Sequence, residues 1–288
     1  MRNLKLPVLK VSAVLDDCVR SVGSAAKRAD LSRAKDKFVD AEASYVRAAK
    51  NEVLFQIPVS GQENEDIVFG GLTKADIKNL YSGQMVRSGT MAREHYDKLL
   101  LSSPLRKCPF CGFGRVTTLD HFLNKADYPW LAIVPVNLVP ACMDCNHGKG
   151  TTRADSSNDQ TVHPYFEGAE LTDDQWLFAK VLETTPMTLD YRAEPPATWD
   201  KALRKRIKKH FDGFNLKARF SVEASTELGS LRFTLKRLHK MAGRAAVVQH
   251  LSVIAAGEAE QFKNSWKTAL FQALAESDWY VDGGYLLE

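Results

Sequence analysis

The chain has 288 residues, 44% of them hydrophobic, with a formal net charge of +4. That length supports one or two globular units with a buried core. No run of about 18 apolar residues is present, which excludes a membrane-spanning helix, and the Pro-rich stretch WLAIVPVNLVPA is too short to serve as one.

The start MRNLKLPVLK lacks the apolar segment of a secretory leader, so a cytoplasmic location is expected. In that compartment paired cysteines mean metal more often than disulfide. The charge is unevenly spread: residues 108–200 carry 6 Lys/Arg against 13 Asp/Glu, whereas residues 201–250 carry 13 against 3.

In chain order, positions 1–50 read as helical, because Val14, Leu15, Val19 and Val22, then Phe38, Ala41, Tyr45 and Ala48, recur at three- and four-residue steps. They form two helices broken near Ser24 to Asp30, or one continuous helix. NEVLFQIPVSGQENEDIVFGG is a connector with one short strand, and two short helices follow, the second capped by Ser88 or Thr90. From Cys108 to about Thr152 cysteine, glycine, proline and β-branched residues replace the helical pattern. Beyond it, DDQWLFAKVLETT is expected as a helix with Trp176, Leu177 or Phe178, and Val181 facing inward, and MTLDYRAEP as a strand. The remainder is helical, with breaks expected near Asp212 to Asn215, Gly229 and Gly243. The expected class is α+β, a mainly helical protein: a helical region over 1–104, a small module over 105–165, and a mostly helical region with a basic helix over 166–288.

Cys108-Pro-Phe-Cys111 and Cys142-Met-Asp-Cys145 are two CxxC pairs, with positions 112–141 between them. Each pair sets two thiolates on one tight turn, and two such turns complete a four-cysteine structural zinc site. A redox CxxC is the rival, but it needs one pair and this chain has two. Cys18, left over, sits on an amphipathic segment as a small core residue.

Between the pairs lie Asp120-His121 in TTLDHFLNK and Asn137 in VPVNLVPAC, and behind the second pair come Asn146, His147 and Lys149. In this order the residues resemble the HNH nucleases, whose ββα-metal motif carries Asp-His on a first strand, Asn before a second, and CNxxK opening a helix. The resemblance is specific over about residues 105–152 and implies a zinc-bound HNH module within 105–165. The wording of LDHFLNKADYPWLAIVPVNLVPACMDCNHGKG is further similar to the PtuB-like HNH proteins of Septu-type bacterial anti-phage defence, which implies an ATPase partner.

The chemistry agrees with the residue types. Phosphodiester hydrolysis needs an activated water, charge neutralisation at phosphate, and a stabilised leaving oxygen. His121 would be the general base and Asp120 an oxygen ligand to a catalytic Mg²⁺ or Mn²⁺. Consecutive strand residues point to opposite faces, so a bulge or turn is needed to bring both to one site. Asn137 would bridge the loop and orient His121, and Asn146 would offer a carbonyl oxygen as a second metal ligand. At about 100° per residue Asn146 and Lys149 share a helix face, and His147, turned away, is read as a phosphate or backbone contact. In KALRKRIKKH the basic residues Lys201, Arg204, Lys205, Lys208 and Lys209 surround an apolar stripe of Leu203, Ile207 and Phe211, a surface suited to a DNA backbone. His163 in HPYFEG reads as a packed turn residue before an active-site one. The expected function is a metal-dependent endonuclease acting on DNA, in anti-phage defence. A catalytically silent zinc-stabilised binding module and an RNA-cleaving toxin are the alternatives.

Overall fold

The helical pattern over positions 1–50 resolves into three helices, α1 (Val11–Arg20), α2 (Ala25–Arg33) and α3 (Lys35–Lys50). The break before α2 is set by Ser24, whose side chain accepts a hydrogen bond from Lys27 N. Helix α1 buries Val11, Val14, Leu15 and Cys18, the spacing of a single apolar face. The computed structural model describes residues 1–148 and 154–287.

After α3 comes a short hairpin, β1 (Ile67–Phe69) and β2 (Leu72–Thr73), and then α4 (Lys74–Asn79). A reciprocal cap of Thr73 and Asp76 starts α4. A π-turn over Leu80–Met85 leads to α5 (Arg93–Leu101). Strands β3 (Thr118–His121) and β4 (Leu138–Ala141) pair antiparallel, Thr118 opposite Ala141 and His121 opposite Leu138, and α6 (Met143–Gly148) follows directly.

Strands as short as β3 and β4 cannot bury a core by themselves. Helix α5 packs on both strands, α6 on β3, and α3 on the turns Pro129–Leu131 and Pro135–Asn137. Residues 3–167 therefore form one compact unit, with the expected boundary at 104/105 inside it, and the chain divides at Glu167 and Gly168.

The second unit comprises residues 168–288 with Met1 and Arg2. It contains α7 (Glu170–Asp173), a hairpin of β5 (Leu177–Leu182) and β6 (Thr188–Ala193), and the helices α8 (Lys201–Gly213), α9 (Leu216–Phe262), α10 (Trp266–Glu276) and α11 (Asp278–Val281). The segment expected as a helix around Leu177 is thus a strand. Its fate is decided at long range: the Asn264 side chain accepts from Trp176 N at 2.8 Å and Leu177 N at 3.2 Å while donating to Leu171 O and Asp174 O. The backbone beyond pairs with the β-prone run LDYRA. The strand expected from MTLDYRAEP is β6.

Asn215 in the left-handed region (φ 49) separates α8 from α9 where a break was expected. The helix runs through Gly229, because the buried Leu228 and Leu231 on either side outweigh the roughly 1 kcal/mol glycine cost. At Gly243 (φ 74, ψ −170) α9 does break, in a conformation that side-chain-bearing residues do not share. Among the described residues no helix is long and apolar enough to cross a membrane.

Candidate metal centre and the groups around His121

The four cysteines of the two CxxC turns meet. Cys108 and Cys145 are 0% exposed, Cys111 2% and Cys142 4%, and their sulfurs all lie within 4.8 Å of one another. A tetrahedral ion with metal–sulfur bonds of about 2.3 Å sets its ligand sulfurs about 3.8 Å apart; Cys111 Sγ and Cys142 Sγ are 3.9 Å apart. The set could hold a metal ion such as zinc. The first turn is closed by Gly112 N donating to Cys108 O at 2.7 Å and Cys108 N donating to Gly114 O at 2.8 Å. Gly114 N also donates to Cys111 Sγ at 3.3 Å, the outer-shell bond that favours a thiolate ligand. Hydrogen bonds from the neighbouring sulfurs, Cys108 first, lower Cys111 to about 7 and depress Cys142 too. Burial raises Cys108, and the sulfurs around Cys145 raise it. A divalent cation would let all four ionise together.

Gly114 marks how tightly the cluster is built. A Cβ there would lie 2.8 Å from Cys142 Sγ and 3.2 Å from Cys111 Sγ, atoms that cannot move without leaving the cluster. Gly114→Ala is expected to destabilise by about 1–3 kcal/mol and to reduce the tightly held metal per chain. Metal analysis and a melting curve check this; wild-type metal content and melting temperature in the variant would disprove it.

The β3–β4 ladder is regular through His121, so the bulge offered as one way to bring Asp120 and His121 to one site is absent, and only the turn beyond His121, the last ladder residue, is left to do so. Asp120 is buried and His121, at the last ladder position, is half-buried. His121 Nε2 lies 2.8 Å from Ala132 O. A carbonyl only accepts, so Nε2 carries the hydrogen and, in the neutral ring, the basic lone pair is on Nδ1. The Tyr81 ring stands edge-on to His121 with centroids 4.3 Å apart. Tyr81 is anchored by its hydroxyl donating to Leu119 O at 3.0 Å. Burial raises the Tyr81 hydroxyl pKa, and the charges of Tyr96 and Asp120 add to the rise.

Asn137 is fully buried and holds the loop that faces His121. Its Oδ1 accepts from Leu123 N at 2.8 Å, and its Nδ2 donates to Leu123 O at 3.0 Å and to Leu131 O at 3.2 Å. Its own carbonyl accepts from Phe122 N at 2.8 Å. The residue beyond Leu131 is Ala132, which accepts from His121. Asn137 thus bridges the two ends of the loop and fixes the acceptor that selects the His121 tautomer.

On α6, Cys145 is buried, Asn146 half-buried and His147 exposed, so Asn146 is the more inward of the two. Lys149, expected on the same face as Asn146, lies outside the described residues. On α8, Lys201, Lys205, Lys208 and Lys209 are exposed and Arg204 is half-buried, while Arg206 and His210 are buried with Leu203, Ile207 and Phe211. The helix belongs to the second unit.

His163 is a packing residue. Its Nδ1 accepts from Tyr165 N at 3.2 Å, its Nε2 lies 2.8 Å from the Tyr45 hydroxyl, and its ring stacks on Phe122 at 4.0 Å. Tyr45 is held well above its ordinary pKa by burial first and by the charge of Asp120 second. Cys18 is buried on α1, its thiol pushed up to about 12 by burial and then by Asp17. Sequence reasoning missed Tyr81 at His121: it lies on a π-turn far upstream, and no local pattern joins the two.

Fold and site together define a mainly helical α+β protein with a buried four-cysteine cluster able to hold a metal ion. Over its whole length the chain is similar to protein ea31 of Escherichia phage lambda, 31% identical over 296 residues that span 98% of this chain and 100% of the relative. The chain belongs to the family of that phage protein. No family model and no solved structure matches.

Proposed function

We propose that this protein is a metal-dependent endonuclease of the HNH type, hydrolysing phosphodiester bonds in DNA. The observation that carries the reading is the local order β3, β4, α6 with His121 at the end of the first strand, Asn137 buried just before the second, and Asn146 on the helix behind the second cysteine pair. In this reading zinc fills the four-cysteine cluster and is structural, since all four positions are taken by protein sulfur and none is left for water. Asp120 and Asn146 would hold the catalytic cation, Mg²⁺ or Mn²⁺, with the chain turn at the end of β3 bringing Asp120 and His121 to one site, and the cation would supply Lewis acidity at the phosphate. His121 Nδ1 takes the proton from the attacking water, Asn137 keeps the ring oriented, and Lys149 offers positive charge to the phosphate.

Supercoiled plasmid incubated with the purified chain and Mg²⁺ or Mn²⁺ tests the reading: conversion to nicked or linear form is expected, and intact plasmid under both metals would reject it. Single-stranded RNA in a parallel reaction separates the RNA-cleaving alternative. A chain that binds DNA but never cuts it is the silent-module alternative. The narrower form, a defence effector beside an ATPase, rests on the Septu-type wording around the motif; a tagged chain that recovers no ATPase from its host would remove it.

The basic face of α8 is the proposed second contact with DNA. Arg206 is buried, so a charge reversal that includes it would break the core as well as the surface. Lys201, Lys205, Lys208 and Lys209 to Glu is the clean variant. DNA affinity is expected to fall at least ten-fold at low salt, and the slope of log affinity against log salt to shrink by up to about 4, with melting unchanged. An unaltered slope in a titration would remove α8 from the interface.

A further inference from the structure

Lys125 stands in the turn that follows His121, on a rigid support. Asn124 Nδ2 donates to Asp127 Oδ2 and Asp127 N donates to Asn124 Oδ1, both at 2.8 Å, while Tyr128 N donates to Asn124 O at 3.0 Å. Ser60 N pins the far side of the turn by donating to Asp127 O at 2.7 Å. Lys125 Nζ lies 4.8 Å from the centre of the Tyr81 ring, the ring that stands edge-on to His121. One anchored aromatic ring therefore joins the ammonium to the imidazole.

Among the described residues no carboxylate pairs with Lys125, and the charge that acts on it is another cation, Lys78. Burial first, and Lys78 second, lower its pKa. A half-buried cation without a counter-charge is costly, and the cation–π contact with Tyr81 recovers only part of that cost. An ordinary surface lysine would swing into water. Here the turn holds it over the ring that also contacts the candidate catalytic base, and an incoming anion would supply the missing charge.

We infer that Lys125, held over the Tyr81 ring that also contacts His121, binds a backbone phosphate of the DNA strand at the point of cleavage. The inference rests on the nuclease reading for the identity of the anion. It adds a cation from the loop to the one expected from Lys149. Lysine suits the task as a compact point charge that needs no fixed bidentate geometry.

The test uses the full chain with Mg²⁺ and a short fluorescent duplex DNA. In a His121→Ala background, which slows turnover enough for binding to be read, Lys125→Gln is expected to weaken binding about five- to ten-fold at low salt and to shrink the salt slope by about 0.9, one phosphate contact. Lys125→Arg keeps the charge and should retain most of the affinity. In the cutting-competent chain Lys125→Gln should lower kcat/KM at least ten-fold with an unchanged melting temperature. If the wild-type chain cuts DNA while Lys125→Gln matches it in affinity, slope and rate, this site falls and the nuclease reading stands. Equal losses in the arginine and glutamine variants would overturn the site too, because packing rather than charge would be responsible. A wild-type chain that neither binds nor cuts duplex DNA removes the nuclease reading and this site with it.

Discussion

His121→Ala is expected to reduce plasmid cleavage by about 10²- to 10⁴-fold, the usual contribution of a positioned general base. The loss should fall on the chemical step and leave binding in place, because the cations assigned to DNA are not touched. His121 is half-buried, and its ring donates the 2.8 Å bond to Ala132 O. Removing that bond costs about 1 kcal/mol, and the orphaned carbonyl can be reached by water in the space left behind. The variant should therefore fold, and a melting curve within a few degrees of wild type separates lost chemistry from lost structure. Added imidazole gives a second readout. It should restore part of the activity of His121→Gly, since the vacated space admits a free base next to Ala132. Full activity in His121→Ala would end the assignment of the base. Folded, DNA-binding and inactive protein that imidazole does not rescue would point to a positioning role for the ring instead.

The second large effect is expected from the cysteine cluster. Metal analysis should return about one tightly held zinc per chain, released by Cys145→Ser or by prolonged chelation. Zinc bound by four thiolates contributes its binding free energy to folding. The cluster consists of four buried sulfurs between short turns, so a bound ion would tie those turns together. Losing it should cost residues 3–167 at least about 4 kcal/mol, or about 12 °C in melting temperature for a unit of that size. Because α6 begins at the second cysteine pair, Asn146 is expected to lose its place along with the metal, so activity should vanish before the far helices melt. A zinc-free chain with wild-type melting would contradict the metal reading, and the cluster would then be a thiol site.

The two features most legible in the sequence were those built from neighbours. A CxxC turn is local, and two of them with polar chemistry between predict a shared cluster that the fold assembles. The helical flanks, β6 and the breaks at Asn215 and Gly243 follow from periodicity and backbone preference in windows of a few residues. What could not be read came from distance. Strand β5 has the composition of an amphipathic helix, and it is extended because Asn264, 87 positions beyond Leu177, takes its first amide groups. Tyr81 meets His121, and His163 meets Tyr45, only after α3, α5 and the β3–β4 hairpin have packed together. Lys125 illustrates the same limit at short range. Its position in the chain was plain, but its value depends on Tyr81 beneath it and on the lack of a carboxylate partner among the described residues, neither of which a one-dimensional pattern contains.

The separation of the two cysteine pairs along the chain also sets an order of events during synthesis. A chain emerging from the ribosome presents α1 to α5 and the first pair well before Cys142 and Cys145 leave the exit tunnel, and N-terminal segments fold as they appear. Until then a captured ion would have two sulfurs instead of four and could be lost to any competing thiol in the cell. A prematurely terminated product would therefore carry His121 and Lys125 without a fixed metal centre or α6. On the nuclease proposal, a fragment that ends before Cys145 would then be inactive, because Asn146 and the complete second cysteine pair are missing from it.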